Sequence, residues 1–321
     1  MNNLNLGEIK KIVIDNTDWK VNKQFKGFKQ VPVGVHLLSL DDDINNFIFV
    51  YVRKDKMVLI DFDTKTRSLN LVNEKDSLYA IYSNSIDGGE IQAYLAGYRI
   101  ENYEIWKLST LYITDRTLKR VFSNKKEPKF PVIDIKGKDK VKAMEKSAVI
   151  CLFMDRTPQL LELINYEIED RYKFDLIGLL QLSYVCFISL ENLESWQFFQ
   201  SLSYLFCESE SILIKDTHFS MEFLKAFCVI LKQFPNDFFY DDITRENYLN
   251  TSIRHLMDNL SDKEQYREIF IFFNKILKKY FNFEWRDILT DSKESGLFIN
   301  ELIQDDEKPS LVAENEEFIS F

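Results

Sequence analysis

Residues 175–189, DLIGLLQLSYVCFIS, constrain this chain more than any other stretch. Leu176, Ile177, Leu179, Leu180, Leu182, Tyr184, Val185, Cys186, Phe187 and Ile188 leave almost no polar face; only Gly178, Gln181 and Ser183 interrupt it. A helix apolar nearly all round either spans a membrane or lies at the centre of a helical domain. At ~1.5 Å per residue the stretch reaches about 22 Å, short of the ~30 Å hydrocarbon core. No apolar run in the chain approaches the ~20 residues a span needs. The expectation is a core helix with other helices packed around it.

There is enough apolar material to bury such a helix. Of 321 residues, 45% are hydrophobic and 27 are Phe, which suits two packed domains and a tail. Nine Gly and six Pro are few for a Gly-looped nucleotide-binding fold. A net charge of −10 repels nucleic acid unless positive charge is concentrated locally. The basic block, residues 119–146, holds ten Lys or Arg against four acids, a net of +6. Three readings stay open for it: a solvated linker, pairing with the chain's own acidic tail, and phosphate contact with RNA. Cys151, Cys186, Cys207 and Cys228 form no C-x-x-C, so buried thiols in a reducing compartment are expected. The first residues carry no apolar h-region and no lipidation motif, which points to the cytoplasm or nucleus.

Taken in order, residues 9–82 read as short strands. Ile12, Val13 and Ile14 lead into the turn pair Asp15-Asn16; Trp19 and Val21 follow with period two; 35–40, 47–52 and 57–62 are further strands between charged turns. This spacing suggests a small antiparallel sandwich or barrel. From residue 90 the period changes. Ile91, Tyr94 and Leu95, then Ile105, Leu108, Leu111 and Tyr112, read as helices closing one side of the β-domain. Residues 123–140, with Pro128 and Pro131, read as a linker. Beyond it helices are expected over about 141–154, 157–169, 175–189, 192–208, 217–234, 244–260 and 262–281. Thr157-Pro158 starts one of them, and Ser261-Asp-Lys-Glu264 is a capping box. Residues 287–321 carry ten acids against two lysines, a net of −8. Within them Pro309, Ser310, Leu311, Val312, Ala313 and Glu314 read either as part of a disordered tail or as a strand that pairs with a partner's sheet edge.

Little in the sequence suggests catalysis. His36, His218 and His255 are scattered, and no H-E-x-x-H, P-loop, G-x-S-x-G or G-x-G-x-x-G occurs. His36 reads as a hydrogen-bonded structural histidine. Asp41, Asp42 and Asp43 follow a strand and cannot all face one metal, so they read as a solvated turn.

Ile14-Asp15, Trp19, Phe25-Lys26-Gly27 and Pro32-x-Gly34-x-His36 resemble the N-terminal signature of the A1-cistron splicing factor family: I-D, W, F-x-G, I-P-x-G-x-H. Gly178-x-Leu180-Gln181-x-x-Tyr184 is similar to that family's G-x-L-Q-x-x-F, with Tyr184 in place of Phe. Trp196, Cys207-Glu208-Ser209-Glu210, Pro235-x-Asp237-Phe238-Phe239, Asn247-Tyr248-Leu249 and Phe283-x-Trp285 follow in the family's order. The linker is short beside the family's long middle region.

The fold expected from pattern and resemblance together is α+β and multidomain. A β-rich, sandwich-like domain with closing helices spans 1–122 and the linker 123–140. An all-α domain, VHS-like by resemblance, spans 141–286, and an extended acidic tail spans 287–321. The resemblance implies a pre-mRNA splicing factor that is an assembly chaperone of the U5 snRNP and not an enzyme, with no cofactor and no metal. It would bind the RNase-H-like domain of the largest U5 core protein and block premature RNA and helicase engagement. Its tail strand, 309–314, would sit between that protein's RNase-H-like and MPN-type domains. No membrane contact and no direct nucleic-acid contact are implied. Location would be cytoplasmic, with nuclear entry in complex with the partner. Ser209, between Glu208 and Glu210, is a candidate regulatory phosphosite, where an added charge of about −1.5 to −2 would disturb acidic or tightly packed contacts; an ordinary capping serine is the other reading. The rival from another class is a VHS-like peptide- or ubiquitin-binding adaptor in membrane traffic.

Overall fold

The computed structural model describes residues 11–22, 24–40, 43–63, 65–66, 68–98, 103–122, 127–133, 155–167, 173–234, 248–260 and 263–281. The helix expected at 141–154, Ser261 of the capping box, Cys151 and the whole tail lie outside them.

The chain turns first at Asp15 and Asn16, both in left-handed backbone at φ 51° and 60°. Asp and Asn tolerate that region better than other side-chain-bearing residues. This two-residue turn joins β1 (Lys11–Ile14) to β2 (Thr17–Lys20), with Ile14 opposite Thr17. Next come β3 (Gly27–Lys29), β4 (Gly34–Leu40) and β5 (Asp43–Val52). β1, β2, β4 and β5 form one antiparallel sheet in the order β2-β1-β4-β5.

Period-two alternation gives this sheet two covered faces. Val35 and Leu37 join the large helical core, with Phe47, Phe49 and Tyr51 packed against it. On the opposite face Ile12 and Leu40 build a smaller cluster with Leu69, joined by Leu38, Ile48, Ile60 and Phe62. The last two come from β6 (Ile60–Asp63), which pairs only with β7 (Ser68–Leu71) among the described strands. Helix α1 (Ser77–Asp87) follows, its first turn capped by the Asp76 carboxylate accepting from the Leu78 amide.

Two readings of this part change. The spacing of Ile91, Tyr94 and Leu95 suggested a helix, but residues Gln92–Tyr94 make one 3₁₀ turn and Leu95–Gly97 make β8, parallel to β3. Three apolar positions are too few to separate one helical turn from a strand end. Among the described residues the β-rich part is therefore one four-stranded sheet with two flanking strand pairs, one of them parallel, rather than an all-antiparallel sandwich. Helix α1 was hidden because none of its residues is buried, so no periodic apolar face marks it.

The helical part begins with α2 (Tyr103–Thr110) and α3 (Asp115–Val121), the latter started by a reciprocal box between Thr114 and Thr117. It continues with α4 (Thr157–Glu167), α5 (Phe174–Leu190), α6 (Leu193–Cys207), the short α7 (Glu210–Lys215), α8 (Thr217–Leu231), α9 (Tyr248–Leu260) and α10 (Arg267–Phe281). The run singled out at 175–189 is α5. It touches α2, α3, α6, α8 and β5, and Leu176, Ile177, Leu179, Leu180, Leu182 and Cys186 have no solvent exposure. A helix surrounded this way leaves little room for charge; Asp175 in its first turn, facing Arg116, is its one charged residue. Aromatic rings stack through the neighbouring helices, with Phe206 and Phe223 at 4.1 Å between centroids and Phe223 and Phe227 at 5.4 Å. No described helix is long and apolar enough to cross a membrane.

Candidate functional site

The N-terminal motif residues meet in the interior. The Asp15 carboxylate accepts from the Tyr98 hydroxyl at 2.6 Å and the Leu37 amide at 2.9 Å, and lies 2.6 Å from His36 Nδ1. The other imidazole nitrogen faces the Pro32 carbonyl at 2.8 Å. Both ring nitrogens therefore face oxygen atoms of the chain's own interior. His36 is fully buried, Asp15 and Tyr98 nearly so. Burial and the bond to Asp15 push the Tyr98 hydroxyl far above its usual range. Tyr103 stacks on His36 with ring centroids 6.0 Å apart, and Trp106 donates from Nε1 to the Val35 carbonyl at 2.6 Å.

This cluster resembles an acid–base relay in composition, but its three groups point at one another and at backbone. Its geometry is that of a clasp holding the β1–β2 turn, β4, the segment after β8 and α2 together. Gly34 belongs to it too: its φ of 144° and the Tyr103 hydroxyl 3.6 Å from where a Cβ would sit suit glycine. The sequence signalled Asp15 and His36 as motif residues. Tyr98 and Trp106 carried no signal, because their partners lie more than 60 residues away.

The second motif forms the seam between α5 and the helices α2 and α3 that follow the β-rich part. Gly178 and Gln181 lie three apart, on one face of α5. A Cβ at Gly178 would come 2.2 Å from the Tyr112 carbonyl oxygen, so only glycine lets the α2–α3 connection approach. Gln181 is fully buried; its Oε1 accepts from the Tyr112 amide at 2.8 Å and its Nε2 donates to the Leu108 carbonyl at 2.9 Å. The Tyr112 hydroxyl donates to Glu222 of α8. Further polar ties cross the seam from Ser189 to Asn16 at 2.9 Å and from Gln233 to Ser109 at 2.7 Å.

The third motif, Cys207-Glu208-Ser209-Glu210, is a junction of helices. The Arg156 amide donates to the Glu208 carbonyl at 2.8 Å, Thr157 accepts from the Ile212 amide at 3.2 Å, and His255 of α9 lies 2.5 Å from the Glu208 carboxylate. Ser209 has no solvent exposure, and its hydroxyl donates to the Leu205 carbonyl at 2.5 Å. Modification at this hydroxyl requires the α6–α7 turn to open first. The described thiols, Cys186, Cys207 and Cys228, are all buried and free, and burial pushes each well above its usual range.

Of the basic linker, residues 127–133 are described. Phe130 stacks on Phe198 of α6 at 4.7 Å, and the Lys129 amide donates to the Val121 carbonyl. The tail residues Pro309, Ser310, Leu311, Val312, Ala313 and Glu314 lie outside the described residues, as do Asp41, Asp42, Pro235, Asp237, Phe238, Phe239, Phe283 and Trp285. Among the described residues no three His, Cys, Asp or Glu side chains are grouped to hold a metal ion.

Two openings face solvent. One, of about 340 Å³, lies on the seam between the β1–β2 turn, α2 and α5; Tyr184, Trp106 and Gln233 line it, and Ile105 and Ile188 are exposed at 53% and 44%. The larger, of about 730 Å³, runs between β5, the β6–β7 pair and α3. An apolar cavity of about 200 Å³ is lined on one side by the sheet face that carries Ile12, Leu38 and Leu40.

Comparison with known proteins agrees on both parts. Residues 3–123 match the AAR2 N-terminal domain, and residues 134–286 match the AAR2 C-terminal repeat region. A protein AAR2 homolog of Caenorhabditis elegans is 22% identical over 299 residues, covering 78% of this chain and 83% of the relative. A protein AAR2 homolog of Homo sapiens is 20% identical over 308 residues, covering 78% and 80%.

Proposed function

The chain belongs to the AAR2 family, the A1-cistron splicing factors, and from that premise we propose that it is a non-enzymatic assembly chaperone of the U5 snRNP. It binds the RNase-H-like domain of the largest U5 core protein and keeps RNA and helicase away until maturation. The observation that carries this reading is a family match through both parts of the chain, with the quoted motif residues of each part serving as scaffold. Motif residues that build a shape rather than a reaction centre fit a protein whose product is a complex. The helical part is read as a VHS-like superhelix, used as a rigid wall.

In this proposal the tail makes the decisive contact. Pro309, Ser310, Leu311, Val312, Ala313 and Glu314 add as a strand between the partner's RNase-H-like and MPN-type domains; backbone hydrogen bonds supply affinity, and Leu311 and Val312 supply register. Asp305, Asp306, Glu307, Glu314, Glu316 and Glu317 then face the partner's basic, RNA-binding surface and compete with RNA for it. Release follows opening of the α6–α7 turn and phosphorylation of Ser209. The protein acts in the cytoplasm and reaches the nucleus with its partner.

Calorimetry of the purified chain with the RNase-H-like domain tests this, run beside a chain ending at Gln304. Affinity that drops sharply on truncation supports the reading with the tail in the contact. Unchanged affinity keeps the partner and moves the site to the folded parts. No heat from either chain, with a partner shown to be folded, sinks the proposal and returns the trafficking adaptor.

A further inference from the structure

β5 is a ten-residue strand at the end of its sheet, hydrogen-bonded to β4 on one side. No described strand pairs with its other edge. From Phe47 to Val52 it reads FIFVYV, and a long apolar edge of this kind is a standing invitation to another strand. The larger groove lies along this edge. Phe47, Phe49 and Tyr51 form one wall; Leu69 and Leu71 of β7 and Phe122, just after α3, form others. Phe122 sits 5.2 Å from Phe49 and 5.9 Å from Phe47, so the floor is aromatic. The rim carries Arg53, Lys56 and Lys119 against Asp115 and Glu74, and its ion pairs are surface pairs of little individual strength.

We propose that the chain's own C-terminal segment 309–314 adds to the open edge of β5 when no partner holds it. Three observations select this occupant. Its Leu311-Val312-Ala313 is a short uncharged apolar run suited to a groove lined by Phe and Leu. Acidic residues flank it on both sides, Asp305, Asp306 and Glu307 before and Glu314, Glu316 and Glu317 after, and so meet a rim with a cationic excess. The intervening chain from Phe281, at ~3.3 Å per residue, reaches up to about 90 Å, well beyond the ~50 Å breadth of a body this size. A tethered segment of that length acts at an effective concentration near ~1 mM, enough for a weak contact to form. The docked strand covers an aggregation-prone edge and withholds the tail from casual partners. This inference does not depend on the identity of the U5 partner, and its test contains none.

Disulfide trapping in the full chain, with Cys151→Ser throughout, decides it. Leu71 lines the groove and is 56% exposed; Ile105 belongs to the other opening and is 53% exposed. Leu71→Cys with Val312→Cys should close an intramolecular bond at least tenfold faster than Ile105→Cys with Val312→Cys. Equal rates, or a faster Ile105 pair, overturn the proposal. So does a faster bond from Leu71→Cys to Ile319→Cys than to Val312→Cys, which would put the extreme C-terminus in the groove. Hydrogen exchange supplies the second readout: Val312→Pro removes a strand amide and should speed exchange at residues 47–52 at least fivefold. Unchanged protection there rules out strand addition.

Discussion

The carbonyl oxygen of Tyr112 occupies the space in which a side chain at Gly178 would begin, 2.2 Å from the ideal Cβ position. The central helix therefore admits the α2–α3 connection only because position 178 has no side chain. Gly178→Ala gains about 1 kcal/mol of helix propensity but forces backbone apart in a packed seam, at a cost of roughly 3 kcal/mol or more. A net loss of about 2 kcal/mol is expected, read as a lower urea midpoint with an unchanged slope.

Gln181 serves the same connection with hydrogen bonds. Gln181→Leu keeps the volume but leaves the Tyr112 amide and the Leu108 carbonyl without partners. Each of the two unsatisfied buried groups costs ~1–3 kcal/mol, so a loss of about 2–6 kcal/mol is expected. Hydrogen exchange at the Tyr112 amide should accelerate more than at amides of α9, which does not touch this connection.

The clasp makes a graded prediction. Tyr98→Phe removes one of the hydrogen bonds to the Asp15 carboxylate, at a cost of about 1.5–3 kcal/mol. His36→Leu leaves that carboxylate buried without its close partner and should cost more, about 3–5 kcal/mol. Denaturant titration of the two variants checks the order. A larger loss for Tyr98→Phe would show that the hydroxyl, not the imidazole, holds the turn.

These three cases separate what pattern reveals from what it hides. The all-round apolar α5 was plain, because a buried helix must be apolar on every side, and so was the Asp15-Asn16 turn, which rests on local backbone preference. Hidden were features decided at a distance: the capture of residues 95–97 by β3, the bond from Tyr98 to a residue 83 positions earlier, and the burial of Ser209. A serine flanked by two glutamates looks exposed in sequence, yet its own side chain faces Leu205 while Glu208 turns to His255. Motif residues Gly178 and Gln181 were visible as letters. Their reason, a backbone crossing at Tyr112, became legible only with the fold.

Ser203 offers a stabilising change. It is fully buried in α6, and its hydroxyl has no hydrogen-bond partner among the described residues. Ser203→Ala removes an unsatisfied polar group and improves helix propensity, so stability should rise by about 1 kcal/mol. A fall in melting temperature would mean that the hydroxyl has a bound water to keep.

Acid should loosen the packing around α8 first. Burial opposes ionisation of Glu222, but hydrogen bonds from Lys225 and Tyr112 hold its carboxyl below the usual 4.5. Burial likewise opposes ionisation of Asp216, but bonds from Lys173 and the Phe219 amide hold it below the usual 3.8. For a depressed carboxylate the stabilisation is complete above the unfolded value and lost as pH falls through the folded one. Asp175 works the other way: burial raises it despite Arg116, so its protonation favours the folded state on acidification. With Asp155 and Asp63 also held below the usual 3.8, four depressed carboxylates against one raised predict a net loss of stability below about pH 4.5, the unfolded glutamate value. Urea midpoints measured from pH 7 down to pH 3.5 should fall, and Glu222→Gln, already lacking one contribution at neutral pH, should fall less steeply. Parallel curves for the two chains would remove Glu222, and with it the Tyr112 link to α8, from the acid response.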